Sequence, residues 1–126
     1  MGLAALSAVL LLATPVSEPP TWCYDVAVLG TLRSTDDGYR VSVSKTYVGG
    51  RVANRIPVFM DTEYGAVPSI PYHRDAVFYL VRLKGGYFGV VSTAGREALD
   101  GRGLLSRARV DDLARARKLK RCPARS

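Results

Sequence analysis

The sequence contains few of the side chains on which metal sites and nucleophilic catalysis usually depend. Its 126 residues include one histidine, His73, and two cysteines, Cys23 and Cys122. His73 has no second histidine or cysteine near it, and the three positions together match no zinc-binding spacing. A catalytic Cys–His pair would leave the other cysteine unpaired. We therefore predict a protein that is not an enzyme and that binds neither a metal ion nor a cofactor.

The sequence also lacks the glycine pattern of a phosphate-binding loop. The glycine pairs at residues 49–50 and 85–86 are not followed by the lysine and helix of such a loop, so we interpret them as hairpin turns. The aspartate pairs at residues 36–37 and 111–112 fit a turn and a helix start, and a calcium site would need more oxygen ligands. Neither kind of pair indicates a ligand.

The apolar run at residues 3–13 is too short to span a membrane as a helix, which takes about 20 residues. Its length is typical of the hydrophobic region of a secretory signal, about 7–15 residues. We predict a signal peptide at residues 1–17 and an exported protein, periplasmic or secreted. A buried N-terminal helix and an uncleaved anchor are the alternatives. Residues 18–22 form a polar spacer with two prolines.

The two cysteines lie at the ends of the remaining chain. Cys23 follows the spacer, and Cys122 lies four residues from the C-terminus. We predict that a disulfide joins them across one domain at residues 23–122, with a short tail at residues 123–126. Disulfides favour an oxidising compartment. Closing a loop of about 100 residues is worth up to roughly 4.7 kcal/mol in the chain-entropy account.

Positive charge is concentrated at the C-terminus. The chain has a net charge of +7. Residues 18–101 contain nine basic and nine acidic side chains, whereas residues 102–126 contain nine basic and two acidic ones. The body of the domain is therefore neutral, and the last segment is cationic.

Short alternating patterns with glycine turns between them predict a β domain. The clearest alternation puts Tyr39, Val41, Val43 and Tyr47 on one face of a strand. Pro57 cannot donate to a strand ladder, so we expect an exposed edge there. Five strands are predicted, at residues 25–33, 39–47, 55–61, 76–83 and 87–92. Closing them into a barrel removes exposed hydrophobic edges.

A helix is predicted after the strands. Ser106 can cap it, and it should extend to about Lys120. Its narrow apolar stripe consists of Val110, Leu113, Ala114 and Leu119. We expect this helix to cover one end of the barrel. The predicted fold class is mainly β, a five-stranded antiparallel OB-like barrel with a C-terminal α-helix.

Several segments resemble the tissue-inhibitor-of-metalloproteinases and netrin-like domains. These are residues 28–32, 39–50 and 76–83, together with a terminal helix that ends in a cysteine. The resemblance covers residues 23–122 and implies an exported OB-fold protein of the bacterial type. The animal inhibitors chelate the zinc of their target protease through a Cys-x-Cys element. Tyr24 and Asp25 follow Cys23 here, so we do not predict zinc chelation.

Aromatic residues outside or at the margins of the predicted strands are candidates for a partner-binding rim, because Tyr and Trp are enriched at interfaces. The resemblance implies that the N-terminal segment packs beside the loop at residues 62–75, which would bring them together. The alternative is that they fold over the ends of the barrel. The predicted protein-binding residues are Trp22, Tyr24, Tyr64, Tyr72 and His73.

The cationic C-terminal segment gives a second candidate, binding to an anionic polymer or membrane surface. A solvated helix face is the simpler interpretation. Nucleic acid is not the expected partner, because the predicted strands are balanced in charge and export removes the protein from cytoplasmic nucleic acid. We expect a monomer. The candidate polyanion-binding residues are Arg115, Arg117, Lys118, Lys120 and Arg121.

Overall fold

The structure is a computed structural model that describes residues 23–60, 74–95 and 105–123. The described residues form seven strands and one α-helix in this order: β1 (Cys23–Tyr24), β2 (Val26–Thr35), β3 (Gly38–Val48), β4 (Arg55–Phe59), β5 (Asp75–Arg82), β6 (Phe88–Ala94), α1 (Arg107–Ala116) and β7 (Lys120–Arg121). In these ranges no helix is both long and apolar enough to cross a membrane.

Five of the strands form a closed barrel in the order β2–β3–β4–β6–β5, and β5 pairs with β2 to complete the ring. The mainly β fold, an OB-like barrel followed by a helix, is confirmed. The prediction that all pairs are antiparallel is wrong, because β4 and β6 run parallel. A closed ring with an odd number of strands cannot alternate direction all the way round, so one parallel pair is required.

The barrel interior holds one of two hydrophobic cores. Its buried side chains are Val26, Val28, Leu32, Val41, Ile56, Val58, Ala76, Phe78, Leu80, Phe88 and Val90. All five barrel strands contribute to this set. The alternate apolar residues of β2 and β4 point into this same interior.

The second core lies on the outside of the barrel, under helix α1. On β2 and β5 the residues between the interior positions are also apolar, and they pack against Val110 and Ala114 of the helix. Its buried members are Tyr24, Ala27, Leu29, Tyr47, Val48, Val77, Tyr79, Val91, Ala94, Leu105, Val110, Ala114 and Leu119. The helix thus covers an outer face and not an end of the barrel, because strands that are apolar on both sides need cover outside as well.

The alternation predicted for β3 holds only in its first half. Val41 and Val43 face the interior, but Tyr47 belongs to the outer core. The pairing with β2 shifts register twice, between Leu29 and Gly30 and between Ala27 and Val28. Each shift inserts one extra residue in β3, and an inserted residue reverses the side to which the following side chains point.

The edge of β4 at Pro57 is unpaired on one side, as predicted for a proline, although the strand as a whole lies between β3 and β6. Pro57 lies opposite Arg40 of β3. The paired residues of β4 and β6 begin at Val58, one position after the proline. Since Pro57 precedes that pairing, its missing N–H removes no bond between the two strands.

Helix α1 begins as predicted and ends earlier. The Ser106 hydroxyl accepts a hydrogen bond from the Arg109 backbone N–H at 3.1 Å. The helix ends at Ala116, and Lys118 adopts a left-handed φ of 60° that turns the chain away. Leu119 is therefore buried from beyond the helix and not as part of its stripe.

The predicted disulfide between Cys23 and Cys122 is confirmed, with 4.8 Å between the two Cα atoms. It joins β1 to the residue after β7, and these two short strands pair in parallel. The Cys122 backbone N–H also donates to the Tyr24 carbonyl at 2.9 Å. The ends of the domain are therefore held together by a covalent bond and by backbone hydrogen bonding. Such a disulfide is consistent with an exported protein.

Candidate binding surface

Three large aromatic side chains are exposed on the described part of the protein, and all three line one groove. Phe59 is 44% exposed, Tyr87 43% and Tyr39 37%. The groove has a volume of about 750 Å³ and lies across β3 and β4. The turn at residues 36–38 borders it on one side and Tyr87 on another. Exposed aromatics that gather in one concave place make this groove the candidate binding surface.

Strand pairing places two of these aromatics side by side. Because Ile56 and Val58 point into the barrel, Phe59 points outward. Val58 pairs with Phe88 of β6, so Phe59 and Tyr87 flank that pair. Their rings stack with centroids 5.1 Å apart and planes 27° from parallel. We call this stacked pair, which lines the groove, the aromatic platform.

Arginines extend the surface beyond the aromatic groove. A neighbouring cavity of about 200 Å³ is lined by Arg33, Arg40 and Arg55 together with hydroxyl side chains. Thr35, Arg40 and Arg55 line both cavities, so the two are continuous. We call the combined region the aromatic–arginine surface. It offers stacking platforms, guanidinium donors and hydroxyl groups, and this chemistry suits recognition of a ligand.

Among the described residues that line this surface, Asp37 is the one carboxylate, and it accepts a hydrogen bond from the Thr35 hydroxyl at 3.0 Å. The ion pairs Arg107–Asp111 and Arg115–Asp112 both lie on helix α1. Within residues 23–60, 74–95 and 105–123, no three His, Cys, Asp or Glu side chains are grouped so that they could hold a metal ion.

The predicted protein-binding rim is only partly covered by the structure. Trp22, Tyr64, Tyr72 and His73 lie outside the described residues. Tyr24 is 3% exposed, so its prediction as an exposed binding residue is wrong. Its ring meets the Tyr79 ring edge-on, with centroids 5.1 Å apart. The ring is buried because it packs with the apolar side chains of the outer core. This burial raises the pKa of the Tyr24 hydroxyl.

The five candidate polyanion-binding residues do not share one helix. Arg115 lies in α1, where its guanidinium pairs with Asp112. Arg117 donates to the backbone carbonyls of Thr93 and Leu113. Arg121 lies in β7 with its guanidinium over the Tyr24 ring, 5.8 Å from the centroid.

Lys118 follows the helix and Lys120 is the first residue of β7, and both are exposed. The predicted basic helix is thus wrong in its extent, because the left-handed turn at Lys118 ends it and a strand begins. Of the five residues, Arg115, Arg117 and Arg121 thus use their guanidinium groups for contacts within the domain.

Sequence reasoning did not single out the aromatic–arginine surface, because its aromatics lie on or beside strands that were expected to bury them. One signal was present. The alternation of β4 puts Arg55, Pro57 and Phe59 on the face opposite to Ile56 and Val58. A large aromatic that shares a strand face with arginine indicates an exposed position.

Comparisons with family models, curated proteins and solved structures found no match to this chain.

Proposed function

We propose that this protein is an exported, non-catalytic module that binds a protein partner at the aromatic–arginine surface. The observation that carries the proposal is the meeting of Tyr39, Phe59 and Tyr87 in one groove beside Arg40 and Arg55. Tyr and Arg are among the residue types enriched at the energetic centres of protein interfaces. The disulfide between the ends of the domain supports export.

Two further arguments support this function. OB-fold barrels commonly bind ligands on the face of their second and third strands and on the adjoining loops, which correspond here to β3, β4 and the turns at residues 36–38 and 84–86. The resemblance to the metalloproteinase-inhibitor and netrin-like domains also favours a binding role. Monomeric protein would present the whole surface to a partner.

Replacement of the aromatic platform tests the proposal. We expect the Phe59→Ser/Tyr87→Ser variant to lose a partner that the wild-type protein captures from the periplasmic or secreted fraction. The purified partner should bind the variant at least about 2 kcal/mol more weakly, because buried aromatic anchors dominate interface energies. Calorimetric titration measures this change, and thermal unfolding verifies that the variant folds.

The matched control removes two exposed residues elsewhere, in the Lys118→Ser/Lys120→Ser variant. It should bind the partner like the wild type. If the control loses binding while the aromatic variant keeps it, the basic C-terminal segment is the functional surface. Salt-sensitive retention on heparin or anionic vesicles would then identify the alternative function, attachment to a polyanion or envelope surface.

A further inference from the structure

Arg40 and Arg55 of the aromatic–arginine surface have no acidic residue opposite them in the strand pairing. Arg40 lies directly opposite Arg33 of β2, and Arg55 lies opposite Ser42 of β3. Like charges in opposed positions destabilise a sheet. No ion pair among the described residues involves Arg40 or Arg55. Stability of the barrel therefore does not account for this placement, whereas an anionic ligand would.

The register of β3 and β4 sets the spacing of these groups. Arg40 lies opposite Pro57, which shares the outer face of β4 with Arg55 and Phe59. Measured along β4, Arg55 comes first, Arg40 lies beside Pro57 two residues later, and Phe59 follows after another two residues. Neighbouring side chains in this order are therefore about 6.8 Å apart along the strand direction. Same-side residues of an extended peptide repeat at this interval.

We infer that the partner presents an extended acidic segment in which two carboxylate side chains and one aromatic side chain alternate with intervening residues. The carboxylates bind the guanidinium groups of Arg55 and Arg40, and the aromatic ring packs on the platform of Phe59 and Tyr87. This inference rests on the proposed function and names the chemistry of the partner. Guanidinium and carboxylate groups match in a two-pronged geometry that favours such pairing.

Charge favours an acidic segment over an uncharged or a basic one. The described residues that line the surface include three arginines and one aspartate, and that aspartate already accepts a hydrogen bond from Thr35. An uncharged peptide could accept hydrogen bonds from the guanidinium groups, but it would not form the stronger charge-assisted bonds that carboxylates offer. A basic peptide would meet charges of its own sign. An acidic segment gains from both the arginine half and the aromatic half of the surface.

A labelled synthetic peptide with the order Glu-x-Glu-x-Phe, flanked and spaced by glycine and serine, serves as the probe. We expect it to shift the NMR signals of residues 39–40, 55–59 and 87 of the full protein. A peptide with glutamine in place of both glutamates should bind about tenfold more weakly, and binding of the acidic peptide should weaken with salt.

The Arg40→Ser/Arg55→Ser variant should show the same loss of about tenfold toward the acidic peptide and little change toward the glutamine peptide. Lys118→Ser/Lys120→Ser, which removes the same number of charges elsewhere, should bind the acidic peptide like the wild type. Because Arg40 and Arg55 are exposed, the arginine variant should unfold at or above the wild-type temperature.

Equal binding of the acidic and glutamine peptides at these residues would overturn the inference and leave the proposed protein-binding function standing. Loss of acidic-peptide binding in the lysine control would also overturn it. If neither peptide shifts these signals and an acidic polysaccharide or single-stranded nucleic acid does, then both the inference and the protein-binding function are wrong.

Discussion

At the scale of single residues, Tyr79 connects the barrel to its helix. The side chain lies in the outer core and is fully buried. Its hydroxyl donates a hydrogen bond to the Val110 carbonyl of α1 at 2.7 Å. The Tyr24 ring contacts it edge-on from the N-terminal side. This hydrogen bond joins β5 to α1. It also satisfies a buried hydroxyl that would destabilise the fold if it had no partner.

Burial raises the pKa of both tyrosines above the usual value near 10. The unfolded chain therefore loses these protons first. The stability that they contribute is fully present below about pH 10 and declines as the pH rises through the raised folded values. Between those limits the unfolded state binds fewer protons than the folded state, so the free energy of unfolding falls with pH.

We expect Tyr79→Phe to lower the free energy of unfolding by about 1 kcal/mol at neutral pH. The variant should also lose part of the decline above about pH 10, because one of these two hydroxyls with a raised pKa is gone. Urea unfolding between neutral and alkaline pH measures both effects. Tyr87→Phe, which alters an exposed tyrosine, should match the wild type. An alkaline decline equal in all three proteins would contradict this account.

At the scale of elements, the two irregularities of the β2–β3 pair decide which side chains reach the helix. The first lies at Gly30, where a Cβ atom would be 2.5 Å from the Ser42 carbonyl oxygen and 2.7 Å from Val41 Cγ1. The glycine lets β3 come close as it takes in an extra residue. The register shifts then bring Tyr47 and Val48 to the outer core.

We predict that Gly30→Ala lowers the free energy of unfolding by about 1–3 kcal/mol, as overpacking in a tight region does. The Ser42 carbonyl belongs to the backbone and cannot rotate away, so β3 must move as a whole. Denaturant unfolding measures the loss. Ser42→Ala, a substitution at the neighbouring surface side chain, should change stability by no more than about 0.5 kcal/mol. A stable Gly30→Ala protein would show that the strands can separate freely.

At the scale of the whole molecule, the disulfide joins residues 99 positions apart and encloses the barrel and the helix in one covalent loop. In the chain-entropy account a loop of this length contributes up to about 4.7 kcal/mol. The benefit comes from restricting the unfolded chain, so the folded aromatic–arginine surface on β3 and β4 should not depend on it.

The Cys23→Ser/Cys122→Ser variant should therefore unfold at a much lower denaturant concentration, with a loss of up to about 4.7 kcal/mol. NMR signals of Tyr39, Phe59 and Tyr87 should stay in place under native conditions. Thiol labelling of the native wild type should find no free cysteine. Two reactive thiols in that experiment, or a variant of undiminished stability, would contradict the structural role of the disulfide.

Local patterns in the sequence were sufficient to predict most of the elements. Alternation, glycine pairs and a serine cap identified the five barrel strands, the turn at residues 84–86 and the start of α1. The positions of Cys23 and Cys122 identified the disulfide. These features depend on neighbouring residues, or on one pair with no other available partner, so a sequence can specify them without knowledge of the fold.

Other features were decided by the tertiary structure. Ring closure with an odd number of strands requires the parallel β4–β6 pair, and inserted residues in β3 turn Tyr47 outward. The position of the candidate surface was also decided by the tertiary structure. Arg40, Arg55 and Tyr87 come from three places in the chain, and only strand register and barrel closure bring them beside Phe59. The sequence by itself determined a disulfide-closed β domain, and contacts between distant strands decided where it presents a surface for binding.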